Sequence, residues 1–376
     1  MKKAVILLSL ALALMLFLQS CDKIEQIGEF IKNPFQSETQ TEAETTLDEL
    51  SMPETMEIQR AEFVDPITGE PADKDMSNSR PVAIVVKNDR SASPQYGLSD
   101  AAVLYEASVE GGLTRFLAVY SDVSKADKIG PVIDSRTYFY DFAANHNAIF
   151  VQAGTTNNGN KVQVSRGITA LDAIVGEMTP GFYRDQILMA SRGMENSILT
   201  NANGLKTRAL QFGIKTETEN KVLPYSTVDY LLNRDMSGGT YCTYLCIPFS
   251  TNMSVEYSYS TLTNKYSRCQ YKEIHADAKT NKQLSFTNLI ILIADYNTID
   301  IKSGEMSIVN SGKGSGYYIY GGSKIMITWQ RTDGANPIRL YEADGLTPLS
   351  ISSGNTYIAV VSPRLSGKIE FERTEQ

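Results

Sequence analysis

Histidine occurs twice in the 376 residues, tryptophan once and cysteine four times. Two histidines leave little room for imidazole-based metal sites. No Cys-x-x-Cys is present, so a structural zinc site is not indicated. Gly-x-Ser-x-Gly and His-Glu-x-x-His are missing, as is Ser-x-x-Lys after residue 20, so no common hydrolase signature is present. No cofactor-binding pattern appears either. Gly312 to Gly316 lacks the Gly-Lys-Ser/Thr ending of a phosphate loop and precedes a strand-like run, so it reads as a β-turn. No block of basic residues exists, which argues against a nucleic-acid partner.

The acidic excess behind the net charge of −8 is concentrated. Residues 22–57 hold ten acids against two bases, which leaves 58–376 almost neutral. Ser37 to Glu57 contains no Lys or Arg and no apolar periodicity. Such a segment cannot bury enough surface to offset its ordering entropy, and like charges extend it. It reads as a disordered acidic tether. Hydrophobic residues make up 42% of the chain and charged ones 21%, an ordinary globular balance.

The longest apolar run, Ala4 to Phe17, has fourteen residues. That falls short of the ~20 needed to span a bilayer but suits a secretory signal. Lys2-Lys3 supplies the positive start. Leu18-Gln19-Ser20-Cys21 resembles the lipobox of bacterial lipoproteins, in which the cysteine thiol receives a diacyl (palmitate-type) anchor and the peptide is cut before it. Cys21 would then be the mature amino terminus, tied to the extracytoplasmic face of the cell membrane. Two acyl chains on one residue anchor stably where one is marginal. The expected organisation is a signal peptide at 1–20, anchor and tether at 21–57, an α/β domain at 58–220 and a β-rich domain at 221–376.

Pro81 to Asn88 is a β-branched apolar run ended by polar residues, hence a buried strand. Ala102 to Val109 and Leu113 to Ser121 read as a hairpin turned at Gly111-Gly112. Pairing 110 with 113 would place Glu106, Glu110 and Arg115 on one face, with the arginine between the two carboxylates. Arg136 to Asn145 has helical apolar spacing, Ala148 to Val151 is a further strand, and helices are expected at 169–177 and 202–212. Beyond residue 220, short alternating runs rich in Tyr, Thr, Ser and Ile recur between turns. The fold class is therefore α+β: an α/β domain with a mixed sheet, then a mostly antiparallel β domain. Trp329 alternates with Ile325 and Ile327 and is expected in the core. His146 and His275 read as surface or helix-end residues. Of the cysteines, only Cys246 and Cys269, if on neighbouring strands, are admissible as a disulfide; the alternative is three reduced thiols.

Several blocks resemble the YerB-like bacterial lipoproteins, the domain-of-unknown-function family 3048. They include Arg80-Pro81-Val82-Ala83, Pro94-Gln95-Tyr96-Gly97-Leu98, Glu110-Gly111-Gly112-Leu113-Thr114-Arg115-Phe116, Lys128-Ile129-Gly130-Pro131-Val132 and Phe182-Tyr183-Arg184-Asp185. Ile247-Pro248-Phe249-Ser250 and Ile327-Thr328-Trp329 extend the likeness into the second half. The resemblance implies a two-domain envelope lipoprotein without an established activity. Three stretches depart from the family pattern. Ile133-Asp134-Ser135 stands where Arg-Ser-Ala is usual, Gln152-Ala153-Gly154-Thr155 where His-Ala-Gly-Gly is usual, and Met194-Glu195-Asn196 where Pro-His-Asn is usual.

The candidate binding residues are Asn88, Glu106, Glu110, Arg115, Arg136, Arg184 and Asn196, polar groups set in apolar or Gly-rich blocks. Arginine forks among them suit carboxylate or phosphate recognition. The favoured expectation is a lipid-anchored, non-catalytic binding or scaffolding module for an envelope polymer or envelope protein. The alternative is a carboxylate-dependent cell-wall or glycan hydrolase using Glu106, Glu110, Asp185 and Glu195. Two glutamates four apart on one strand would lie ~13 Å apart at ~3.3 Å per residue, wider than the ~5–9.5 Å of a glycosidase dyad.

Overall fold

A computed structural model of the chain describes residues 62–218, 234–333 and 336–372. Cys21, the signal segment and the acidic tether lie outside the described residues.

The apolar run after Arg80 forms β1 (Val82–Asn88). It is buried on both sides, as continuous apolar strands in parallel sheets are. β2 (Val103–Ser108) and β3 (Thr114–Tyr120) follow, then α1 (Thr137–Ala144), β4 (Ile149–Gln152), α2 (Asn157–Ser165), β5 (Leu171–Asp172), α3 (Gln186–Arg192) and α4 (Ala202–Gln211). The second half supplies β6 (Tyr244–Pro248), β7 (Ser254–Ser260), β8 (Lys265–Gln270), β9 (Asn288–Ile293), β10 (Tyr296–Asp300) and β11 (Glu305–Ile308). It continues with β12 (Gly312–Tyr320), β13 (Ser323–Arg331), β14 (Arg339–Glu342), β15 (Thr356–Val361) and α5 (Pro363–Ser366).

The two halves share one sheet of eleven strands, whose main path runs Thr240–Tyr241, β13, β12, β9, β15, β2, β3, β1, β4, β5. β9, β15 and β2 are mutually parallel, as are β1, β4 and β5. β3 runs antiparallel between β2 and β1, so both sets point the same way. The C-terminal half is otherwise mostly antiparallel. β6, β7 and β8 form the core of a second, five-stranded sheet.

The large sheet is covered on both faces. One face places Ile84, Val86, Leu104, Phe116, Leu289 and Tyr357 against Leu245, Val255, Tyr257 and Tyr266 of the second sheet. The other places Val85, Tyr105, Leu117, Ile290 and Ile358 against Tyr138, Phe139 and Phe142 of α1 and against Trp329. Trp329 is 3% exposed and its indole N–H donates to the carbonyl of Ile293 at 3.1 Å.

Four expectations need correction. Residues 169–177 do not form a helix. Arg208, 3% exposed, donates to the carbonyls of Asp172, Val175 and Glu177. That takes the acceptors a helix would use, and 171–172 joins the sheet instead. The glycines from 312 to 316 lie within β12 rather than in a turn. A β-carbon on Gly314 would fall 2.3 Å from the Trp329 ring, so the glycine permits close packing. Both histidines are buried, His146 at 1% and His275 at 3%. Cys246 and Cys269 are not on neighbouring strands, because Glu256 of β7 pairs with both. Cys242, Cys246 and Cys269 are free thiols.

Candidate functional site

Parallel strands bring their carboxyl ends to one edge of the sheet, where ligands of open α/β sheets bind. Here that edge carries Asn88, Ser108, Gln152, Ile293 and Val361 as strand ends. A cleft of about 430 Å³ opens there, lined by Glu110, Gly112, Phe249, Asp295, Tyr296 and Arg364, among others. The Tyr296 hydroxyl donates to the Val360 carbonyl at 2.8 Å, which fixes that wall.

The β2–β3 connection sets the electrostatics of this edge. It is not a two-residue turn. Glu110–Gly112 forms a single 3₁₀ turn with φ +73° at both glycines, closed by the Val109 N–H on the Leu113 carbonyl. Ser108 therefore pairs with Thr114 rather than residue 115. A one-residue change of register moves every side chain to the opposite face. Glu106 and Arg115 end up on opposite sides of the sheet, and the expected Glu106–Arg115–Glu110 cluster does not form.

Two separate clusters replace it. In the first, Arg136 holds Glu110 at 2.7 Å and also binds Asp134, while Arg115 binds the same aspartate at 2.9 Å. Burial favours the neutral Glu110 carboxyl, but the Arg136 hydrogen bonds and charge outweigh it and hold the pKa below the usual range. Asp134 follows the same pattern, with Arg115 and Arg136 overcoming its burial. Both carboxylates are thus held ionised.

In the second cluster Glu106 is fully buried. It accepts hydrogen bonds from Asn88 Nδ2 (2.9 Å), Thr114 Oγ1 (2.6 Å) and the Tyr357 hydroxyl (2.6 Å). Arg268 of the second sheet closes the site at 2.9 Å, with both side chains at 0% exposure. The Arg268 guanidinium also donates to His275 Nδ1, the Tyr257 hydroxyl and Gln270 Oε1. It lies against the rings of Phe116, Tyr257 and Tyr357. Asn88 and Glu106 are therefore brought together, in a network joining the two sheets.

The remaining candidates gather around α3. Asp185 caps that helix, accepting from the Leu188 N–H, and pairs with Lys128 at 2.8 Å. The Lys128 hydrogen bond, then that cap, hold its carboxyl below the usual range. Arg184 donates to the Met194 carbonyl and Ser197 Oγ. Glu195 is exposed and lies 3.3 Å from Lys87. Asn196, 3% exposed, donates to Ser91 Oγ and the Arg192 carbonyl.

The three departures from the family pattern all lie at or beside the carboxyl edge. Asp134 bridges the two arginines. Gln152 accepts from Ser135 and donates to Asp172 at 2.8 Å. Glu195 reaches Lys87 near the end of β1. Sequence reasoning missed Arg268, Gln270, His275, Tyr257 and Tyr357. Tyr357 lies in the continuously buried β15 and the others in alternating strands or turns of the second half, where nothing local marks their partners across the layers.

Two family models match the chain: "Protein of unknown function (DUF3048) N-terminal domain" over residues 67–215 and "Protein of unknown function (DUF3048) C-terminal domain" over 245–358. "Putative lipoprotein YerB" of Bacillus subtilis (strain 168) is 30% identical over 301 residues, which is 79% of this chain and 85% of that protein. The crystal structure of YerB protein from Bacillus subtilis superposes with a TM-score of 0.71 at 27% identity, over 82% of this chain and 99% of that one. Among the described residues no helix is long and apolar enough to cross a membrane.

Proposed function

Because the chain belongs to the DUF3048 family of YerB-like lipoproteins, we propose that it is anchored through an acylated Cys21 on the extracytoplasmic face of the membrane. There it acts as a non-catalytic binding or scaffolding module whose carboxyl-edge cleft receives an envelope polymer or envelope protein. The observation that carries this reading is the charge state of the cleft. Glu110, on the cleft lining, is neutralised by Arg136, which with Arg115 also holds Asp134 beside the cleft. Arg364 and Asp295, also on the lining, have no ion-pair partner among the described residues and stay available to a ligand. A general acid needs a raised pKa. Glu110 and Asp185 are instead held low, and Glu106 is sealed behind Arg268, which supports binding over hydrolysis.

The test uses the full chain in detergent. Co-sedimentation with peptidoglycan sacculi is measured for wild type, Arg364→Glu and Ser303→Trp, which places bulk on the cleft lining, while soluble products are assayed in parallel. Retention weakened about tenfold by either substitution, without product release, supports the reading. Released fragments that vanish in Glu110→Gln would establish the hydrolase alternative. Replacing Cys21 by Ser is expected to leave the precursor uncleaved by the lipoprotein route and without acyl chains, read from the mass of the amino-terminal peptide; an unchanged membrane fraction with a mature amino terminus elsewhere would overturn the anchor.

A further inference from the structure

A second cavity lies where α4 meets the amino ends of β1 and β4, remote from the cleft just described. It has a volume of about 300 Å³. Its interior is apolar: Met76, Val82, Ile149, Leu171 and Leu205 line it, all less than a tenth exposed. The hydroxyl of Ser121, on the same lining, is buried and has no hydrogen-bond partner among the described residues. Buried hydroxyls are normally satisfied, and one left open in a cavity marks a place for a ligand atom or water.

The polar part of the lining is cationic. Lys74 is neutralised by Asp122 at 2.6 Å. Arg80 has no carboxylate partner among the described residues. Its guanidinium spends three donors on backbone carbonyls, those of Asn147 and Lys215 at 3.0 Å and Ala148 at 3.4 Å. An arginine has five N–H donors, so two remain. Its cation is partly desolvated without a compensating anion among the described residues, and burial lowers its pKa. Lys206 of α4 is exposed on the same lining, also without an ion-pair partner among the described residues. Among the described residues Glu217 is the one acid there besides the paired Asp122.

We propose that this cavity binds a single-chain anionic amphiphile, a fatty-acid-like molecule. Its chain lies among Met76, Val82, Ile149, Leu171 and Leu205, and its anionic head is taken by the free donors of Arg80 and by Lys206. The two requirements are independent. The apolar walls select the chain, and a cation lacking an anion selects the sign of the head group. The site does not depend on the cleft reading, because no cleft residue belongs to it.

The test is calorimetric titration of the delipidated full chain with decanoate, decanol and decyltrimethylammonium, each below its micellar concentration. Decanoate is expected to bind at one site, at least tenfold more tightly than the cationic probe and more tightly than the neutral one. Lys206→Gln changes an exposed side chain and should weaken decanoate about threefold to tenfold while leaving decanol unchanged. Leu205→Trp fills the cavity and should abolish binding of every probe. A melting curve checks that this variant folds, and if it does not, Lys206→Gln decides alone. Equal affinity for the three head groups, no decanoate binding, or decanoate binding unchanged by Lys206→Gln would each overturn the proposal.

Discussion

The buried pair Glu106–Arg268 ties β2 of the large sheet to β8 of the second sheet, and cutting it has a calculable cost. In Arg268→Met the carboxylate keeps Asn88, Thr114 and Tyr357 as donors but loses the Arg268 counter-charge at zero exposure. Breaking a buried ion pair from one side costs about 3–5 kcal/mol, because the remaining charge stays desolvated. At ~2 °C per kcal/mol for a body of this size, the melting temperature should fall by roughly 6–10 °C. Glu106→Leu should cost a similar amount, stranding the guanidinium among Phe116, Tyr257 and Tyr357. The double variant removes both charges. It should be less destabilised than the sum of the singles by ~2–3 kcal/mol. Recovery is incomplete, since the Tyr257 and Tyr357 hydroxyls lose partners worth about 1–3 kcal/mol each when left buried. Urea and thermal unfolding of the four proteins, followed by circular dichroism, give the cycle and the melting temperatures. Additive losses, or a single-variant shift below about 2 °C, would refute the claim that this pair governs docking of the two layers.

Stability should also fall on mild acidification. Burial lowers the His146 pKa to about 3, and burial followed by the Arg268 charge places His275 well below its usual value. An unfolded imidazole titrates near ~6.5, so below that pH the unfolded chain binds more protons and each histidine withdraws up to ~1.4 kcal/mol per pH unit. Between pH 6.5 and 5 the expected loss is ~2 kcal/mol per histidine, with Glu110 and Asp134 adding to it only at lower pH, where carboxylates titrate. Urea midpoints at pH 7, 6 and 5 measure this, and His146→Phe should flatten the slope; a midpoint constant from pH 7 to 5 would contradict it. Trp329→Ala should cost about 3–5 kcal/mol, and native emission should be blue-shifted and poorly quenched. Gly314→Ala forces a β-carbon onto the indole and should destabilise as well. Red-shifted emission that responds to added glycan would instead mark Trp329 as an exposed platform.

The parts of the fold legible in the sequence are those set by burial on both sides or by strict alternation. Pro81 to Asn88 could only be an interior strand, and Ile325, Ile327 and Trp329 lie on one face as their spacing requires. The helices at 157–165 and 186–192 were not legible. The first reads Asn-Asn-Gly-Asn at its start, and it exists because β4 and β5 are parallel and need a crossover. The run at 169–177 looks helical until Arg208, far along the chain, claims its carbonyls. At the site, the polar residues stood out as exceptions within apolar blocks, but their partners did not. One extra residue in the β2–β3 turn sends Glu106 to Arg268 and leaves Arg115 to Asp134. Register of that kind depends on the turn's backbone, which Gly-Gly leaves open.

Hydrogen exchange on the full chain, with and without solubilised sacculus fragments, tests most directly whether the carboxyl edge is the binding site. The account predicts slowed exchange in residues 108–113, 295–306 and 362–366, weakened by Arg364→Glu. Protection confined to other segments, or protection at these segments that Arg364→Glu leaves intact, would contradict it.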